Sequence, residues 1–324
     1  MDENLALICA FDVTSRGNAS PLAWNELSVD QPKGSWRWIH LDRTDPDTES
    51  WLRSERDLPT LAIEALLAEE TRPRIFSIGS GHIIILRGVN LNPGADPEDM
   101  VSIRLWVENG RIISLRRRRL LAVQDLRNAF ESGKGPRTIG EFLAVLAFTL
   151  IERMSPVVTD LEDVLDELEE SGVTLPTAEQ RDRLVSLRRQ AIPLRRFLSP
   201  QRDALLHAST LKVDWLDAEH AARMREAYDQ ASRLIESLDA IRERAGLLHE
   251  EFANRVAERT NRNMYVLTVA AAIFLPLGFL TGLLGINVAG IPGTENPSAF
   301  SIVTGLIIII GAAEFALLKF LRWI

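Results

Sequence analysis

The stretch MYVLTVAAAIFLPLGFLTGLLGINVAGIPGTENPSAFSIVTGLIIIIGAAEFALL, Met264–Leu318, decides the fold. Its first part, Met264–Leu284, carries no charge over about the 20 residues that cross a bilayer core at roughly 1.5 Å each. Gly285–Ala299 is rich in Gly, Pro and polar residues, and Phe300–Leu318 is apolar again, interrupted only by Glu314. Two such runs read as two membrane spans joined by a short loop. From Asn263 to Ala313 the one formal charge is Glu295, so the charge of the chain lies almost wholly in residues 1–262.

The flanks orient the spans. Arg255, Arg259 and Arg262 precede the first, Lys319 and Arg322 follow the second, and the loop has neither Lys nor Arg. The positive-inside rule puts both ends in the cytoplasm and the loop outside. The single cysteine, Cys9, excludes an intramolecular disulfide and suits a reducing compartment. The start MDENLALICAFDV lacks the basic segment of a signal peptide, which also fits a cytoplasmic soluble region.

Two helices per chain cannot enclose a conduit, so a conducting assembly needs several copies around an axis. Gly278, Gly282 and Gly285 permit close backbone approach on the first span. Pro276 removes a backbone donor there and is expected to bend the helix.

Upstream, Glu219–Asn263 holds no Pro and one Gly. Ala227, Ala231, Leu234, Leu238, Ile241, Ala245, Leu248 and Phe252 repeat in steps of four and three, a sustained heptad. With no breaker before Met264, one helix is expected to run into the first span, roughly 100 Å long. It reads either as a coiled coil that dimerises a membrane anchor or as a stalk that couples a cytoplasmic domain to a pore. A neighbouring, smaller face at the same spacing holds Glu250, Ala253, Ala257, Thr260, Met264, Leu267, Ala271, Leu275 and Gly278. That face is a candidate pore lining, its larger residues forming constrictions that gate by dewetting.

Residues 1–140 read as a mixed α/β domain. LALICAFDV, SWRWIHL, RIFSI, HIIILRGV, VSIRLWV and RIISL have the β-branched and aromatic content of strands. IFSIGSGHIIIL and LWVENGRIISL look like hairpins, the second closed by Asn109-Gly110, which makes the sheet mixed. Helices are expected at Thr48–Arg56, Pro59–Leu67 and Leu120–Glu131. After Gly140 the chain turns helical. An acidic DLEDVLDELEE (Asp160–Glu170) is answered by a basic RDRLVSLRRQAIPLRR (Arg181–Arg196), with the turn at Ser171-Gly172 and Pro176. The pair is either stitched by opposite charges or forms an acidic collar that concentrates cations.

The expected organisation is residues 1–140 as the α/β domain, 141–218 as the helical hairpin region and 219–263 as the stalk helix. Residues 264–285 form the first span, 286–299 the external loop and 300–320 the second span. The net charge of −8 leaves no electrostatic footprint for nucleic acid, and the basic run Arg116–Arg119 reads as a solvated edge or an ion-pairing surface. There is no GxGxxG, no Walker A sequence and no nucleophile–base constellation, so no enzyme or organic cofactor is indicated. His40, His82, His207, His220 and His249 are scattered, and no resident metal set can be assigned.

The long helix, the Gly285-Ile286-Asn287 that ends the first span and the second span after it resemble the CorA metal-ion transporter family, whose usual motif is Gly-Met-Asn. Phe274-Leu275-Pro276, Phe279-Leu280-Thr281-Gly282, Gly290-Ile291-Pro292-Gly293 and, upstream, Glu70-Thr71-Arg72-Pro73-Arg74 are similar to its ZntB branch, associated with zinc. The resemblance implies a funnel-shaped homopentamer in a bacterial inner membrane, with five first-span helices around the pore. It makes Gly285, Ile286 and Asn287 the selectivity filter, Asn287 forming a ring at the outer mouth. Met264, Leu267, Leu275 and Gly278 match the family's pore positions, and many relatives have a polar residue where Gly278 stands. Glu295, in the external loop with Gly290–Gly293, is an external acidic ring or a solvated side chain. Five carboxamide oxygens can hold a hydrated cation by its water shell without stripping it.

The transported ion is a divalent cation, with zinc favoured by the branch-like GIPG loop. A hydrated-ion filter suits Mg²⁺ equally well, because the proposed lining lacks the Cys, His and carboxylate set that Zn²⁺ prefers. A CorA-type Mg²⁺/Co²⁺ channel and a membrane-tethered scaffold or sensor without flux are the alternatives. Glu314 is the one ionisable candidate for proton coupling in the spans, and transport is expected not to need it.

Overall fold

The computed structural model describes residues 5–55, 57–69, 71–171, 175–286, 293 and 296–321. Contacts divide the chain into two units, Met1–His249 and Glu250–Ile324. The first unit is built on seven strands: β1 (Leu7–Thr14), β2 (Ala19–Pro21), β3 (Ser35–Asp42), β4 (Arg74–Ile78), β5 (Gly81–Gly88), β6 (Val101–Glu108) and β7 (Arg111–Arg116). Their order is β2-β1-β3-β7-β6-β5-β4. β3 and β7 are parallel and every other pair is antiparallel, a mixed sheet as the two hairpins implied. The hairpins turn through Gly79 (φ 58°) and Gly110 (φ 89°), a backbone region that a side chain resists. The edge strand β2 was not foreseen: three residues, Ala-Ser-Pro, carry no alternation to read, and Pro21 suits only an edge.

Both faces of the sheet are covered. On one lie α1 (Pro46–Ser54) and α2 (Thr60–Leu67), whose Leu52, Ile63 and Leu66 pack with Ile39, Leu41, Ile83, Ile85, Trp106 and Ile113. On the other, α3 (Leu121–Glu131) and α4 (Ile139–Glu152) bring Phe130 and Phe142 onto Phe11, Trp36 and Trp38. Ring centroids stand 5.0 Å apart for Trp38–Phe142 and 5.4 Å for Phe11–Phe130. Burying one such ring removes about 200 Å² from water, roughly 5 kcal/mol before ordering entropy. Strands covered on both sides explain why IIIL, residues 83–86, reads as a continuous apolar run rather than strict alternation. Gly81 is required by packing, since a Cβ there would lie 2.1 Å from Cζ2 of Trp106.

Two polar devices sit inside this core. Arg37 forms a two-pronged ion pair with Asp12, Nε–Oδ1 2.7 Å and Nη2–Oδ2 2.8 Å, and its Nη1 donates to the carbonyls of Leu27 and Val29. Ser114 Oγ lies 2.8 Å from both Trp38 Nε1 and His40 Nδ1. Burial first, and then Arg116, pushes His40 down to about 3, so it is neutral at pH 7.

The remaining helices of this unit are α5 (Ser155–Glu170), α6 (Ala178–Ser209) and the start of α7 (Ala218–Leu284). Arg183 of α6 pairs with Glu167 of α5 at 2.7 Å, as the charge pattern implied. Two further acids of α5 are answered from α7: Arg244 reaches Asp166 at 2.6 Å and Glu169 at 2.5 Å. Arg195 of α6 in turn holds Asp239 of α7 at 2.9 Å. The acidic helix is thus stitched by charge within its own chain. Exposed pairs of this kind are worth about 0–1 kcal/mol each and set register more than stability. The heptad residues Ala227, Ala231, Leu234, Leu238, Ile241, Ala245 and Leu248 are all buried within the single chain. Their face is therefore already covered, which removes it as the seam of a coiled coil between copies.

Candidate ion-conduction site

Three helical runs among the described residues are long and apolar enough to cross a membrane: Ile139–Glu170, Ala218–Leu284 and Ala299–Phe320. The first is half-buried, and Phe142 packs on the sheet, so its apolar content is spent in the core of the first unit. The most apolar window of α7 has no buried residue. Leu267, Phe274, Leu275 and Phe279 are each about 70% exposed, and Ile308 and Ile309 of α8 (Ala299–Phe320) are each 66% exposed. A single chain in water does not sustain so large an apolar surface; it requires lipid, further copies or both.

Within the second unit, α8 packs along one face of α7. A Cβ on Gly311 would lie 3.6 Å from Leu277 Cδ1. Val303, Ile307, Ile310, Glu314 and Leu318 repeat at helical spacing on the more buried side of α8. Glu314 thus lies on the inner face of the hairpin, and its Oε2 is buried with no hydrogen-bond partner among the described residues.

The residues proposed to line a pore all lie on α7, at the spacing of one helical face. Glu250, Ala253, Ala257, Thr260, Met264, Leu267, Leu275 and Gly278 are exposed in the single chain, and Ala271 is half-buried. Nothing stands within 4 Å of a Cβ built on Gly278 or Gly282, so neither glycine is required by packing inside one chain. Pro276 lies inside α7, where it removes one backbone donor without ending the helix.

α7 ends at Leu284, and the Gly285 N–H donates back to the carbonyls of Thr281 (2.9 Å) and Gly282 (3.2 Å). Gly285 does not take the left-handed conformation usual for a glycine that stops a helix. Close approach is the reason for glycine here: a Cβ would stand 2.9 Å from the Thr281 carbonyl oxygen. Ile286 is 48% exposed at the end of the helix. Asn287, Gly290, Ile291, Pro292 and Glu295 lie outside the described residues, as does Glu70; Gly293 is described, with φ 89°.

Residues 33–319 match the family described as CorA-like Mg²⁺ transporter protein. The chain belongs to this family. The CorA-like match covers most of both units, so the sheet domain and the two apolar helices come as one inheritance. Among relatives, the divalent cation transporter CmaX of Pseudomonas aeruginosa is 39% identical over 325 residues, 98% of this chain and 97% of its own. The zinc transport protein ZntB of Pectobacterium atrosepticum is 34% identical over 316 residues, 97% of this chain and 95% of its own. The solved structure of full-length CmaX superposes with a TM-score of 0.86 at 39% identity, covering 99% of each chain. The mixed sheet with its helices, the long helix and the C-terminal apolar helix are therefore those of the CorA-like fold. No group of three or more His, Cys, Asp or Glu that could hold a metal ion occurs among the described residues.

Sequence reading did not find one feature of the first unit. The basic run Arg117–Arg118 converges with Arg72, Arg87 and Arg196 around one cavity. Their positions span over a hundred residues, so only the fold brings them together.

Proposed function

We propose that this chain carries divalent cations, zinc foremost, across a bacterial inner membrane through an axial pore built by a homopentamer with both termini cytoplasmic. The observation that carries this reading is the bare face of α7. Glu250 to Gly278 present one continuous helical face that the single chain leaves almost wholly exposed, leading to Gly285. Five copies of that face around an axis give a conduit whose wide points are Ala257 and Gly278 and whose constrictions are Met264, Leu267 and Leu275. Asn287 closes the outer end as a ring of carboxamides that bind a hydrated ion loosely enough to release it.

Zinc is supported by likeness to the ZntB of Pectobacterium atrosepticum and by the Gly290–Gly293 loop, and not by a ligand set. The lining offers the oxygens of Glu250 and Thr260 and no Cys or His, which is no tetrahedral zinc set, so a magnesium-conducting channel is the second reading.

Flux into proteoliposomes of purified protein tests this directly, comparing Zn²⁺ with Mg²⁺, with and without a pH gradient, and repeated with Asn287→Ala. Zinc uptake that this substitution abolishes is the expected result. Magnesium flux without zinc moves the protein to the second reading, and no flux of either from an intact oligomer points to a scaffold or sensor.

A further inference from the structure

A cavity of about 650 Å³ opens in the first unit between the segment after α2, the end of β5, the loop before β6, the end of β7 and α6. Five arginines line it: Arg72, Arg87, Arg117, Arg118 and Arg196. In a chain with 37 basic against 45 acidic residues, such a gathering is unexpected. Arg87 is fixed in place, donating to the carbonyls of Thr71 (2.8 Å) and Met100 (3.0 Å) and lying 3.9 Å over the ring of Phe197. Arg196 covers the same ring at 4.6 Å. Arg72, Arg117 and Arg118 have no hydrogen-bond or ion-pair partner among the described residues.

A second observation points into the same space. Thr71 lines the cavity at 6% exposure, and its Oγ1 is buried with no partner among the described residues. A buried hydroxyl left unbonded costs about 1–3 kcal/mol, a cost that a ligand oxygen would remove. Arg104, close by, is pushed down to about 10, by burial first and then by Arg43, Arg87 and Arg117. Glu69, Glu98 and Asp99 line the rest of the cavity, and none forms an ion pair with Arg72, Arg117 or Arg118 among the described residues. An anion therefore seats on the arginine side and not throughout the volume.

We propose that this cavity binds a compact polyanion bearing two or more phosphate groups, held by Arg72, Arg117 and Arg118 with the Thr71 hydroxyl as a further donor. Guanidinium forks match phosphate oxygens in bidentate pairs, and three of them spread around a cavity of this size can engage more than one phosphate group. The volume falls within the roughly 300–1,000 Å³ of small-molecule sites. Phe197 is already covered by two guanidiniums, which leaves no free aromatic face here for a base. The recognised part is therefore the phosphate chain, whether inorganic or the tail of a nucleotide. This site stands apart from the pore and does not depend on which cation the chain carries.

Calorimetric titration of the full-length protein in detergent, in divalent-free buffer at constant ionic strength, tests the proposal with inorganic pyrophosphate as the probe. Saturable binding is expected, weakened about tenfold or more by Arg117→Ser with Arg118→Ser and several-fold by Thr71→Val. Because Thr71 Oγ1 makes no bond among the described residues, Thr71→Val should match or exceed the wild-type melting temperature, so its loss of affinity cannot be misfolding. ATP that displaces pyrophosphate extends the site to nucleotide tails, and failure to displace restricts it to inorganic polyphosphate; both keep the site. Pyrophosphate binding unchanged in both variants, or matched by chloride at the same ionic strength, overturns it. So does an arginine variant that loses its oligomeric state while Thr71→Val binds normally, because the arginines would then serve a partner copy's carboxylates.

Discussion

Gln201 of α6 holds both backbone groups of Arg87. Its Oε1 accepts from the Arg87 N–H at 2.6 Å, and its Nε2 donates to the Arg87 carbonyl at 2.9 Å. β4 pairs with β5 only between Arg74–Ile85 and Ile78–Gly81, so the amide continues the ladder where the edge strand has ended. Gln201 is 1% exposed, which leaves no water to take its place. Gln201→Leu is expected to strand a donor and an acceptor at a cost of about 2–4 kcal/mol. Denaturation of the protein in detergent checks this, and an unchanged midpoint would refute the role given to the amide.

The Asp12–Arg37 pair predicts an asymmetry between single and double substitution. The Asp12 side chain is 9% exposed and that of Arg37 5%. Asp12→Ala leaves a buried guanidinium without its counter-charge and should cost about 3–5 kcal/mol. Replacing both, as Asp12→Leu with Arg37→Met, should recover most of that loss. A double variant as unstable as the single one would mean that the Leu27 and Val29 carbonyls, not the ion pair, dominate.

His40 predicts a pH dependence in the stability of the first unit. Its folded pKa lies near 3, against an ordinary value of 6.5, with burial the largest cause. The unfolded chain therefore binds a proton that the folded chain refuses. The penalty is absent above pH 6.5 and grows as pH falls towards 3, by up to about 1.4 kcal/mol per pH unit. The melting temperature should fall between pH 7 and pH 5, and His40→Gln should flatten that fall even if it lowers both values. Equal slopes for the two proteins would assign the acid sensitivity elsewhere.

Glu314 predicts a null effect. It sits among Val303, Ile307, Ile310 and Leu318 on the inner face of α8, with Oε2 unpartnered among the described residues. Glutamine keeps the shape and the acceptor, so Glu314→Gln is expected to leave cation flux largely intact at normal expression. Flux that loses its dependence on a pH gradient in this variant would make Glu314 a proton carrier.

The membrane hairpin was legible in the chain because bilayer thickness is a length that composition alone can meet. Met264–Leu284 and Phe300–Leu318 satisfy it with no reference to any partner. The strands of the mixed sheet were legible for a local reason as well, since β-branched runs closed by Gly79 and Asn109-Gly110 have one economical pairing. What failed was short or shared. β2 is too brief for a pattern, and the heptad of α7 could not say whether its apolar face meets another copy or its own chain.

The sequence by itself determined which segments seek lipid, which form the sheet, and the helical face that leads to Gly285. These depend on spacing along one helix or strand, where neighbours in space are neighbours in the chain. Only the tertiary structure decided that Arg244 answers α5, that Gln201 completes β5, and that Arg72, Arg117 and Arg196 share one cavity. Those contacts join residues dozens to more than a hundred positions apart, and no periodicity encodes a distance that the chain reaches only by folding.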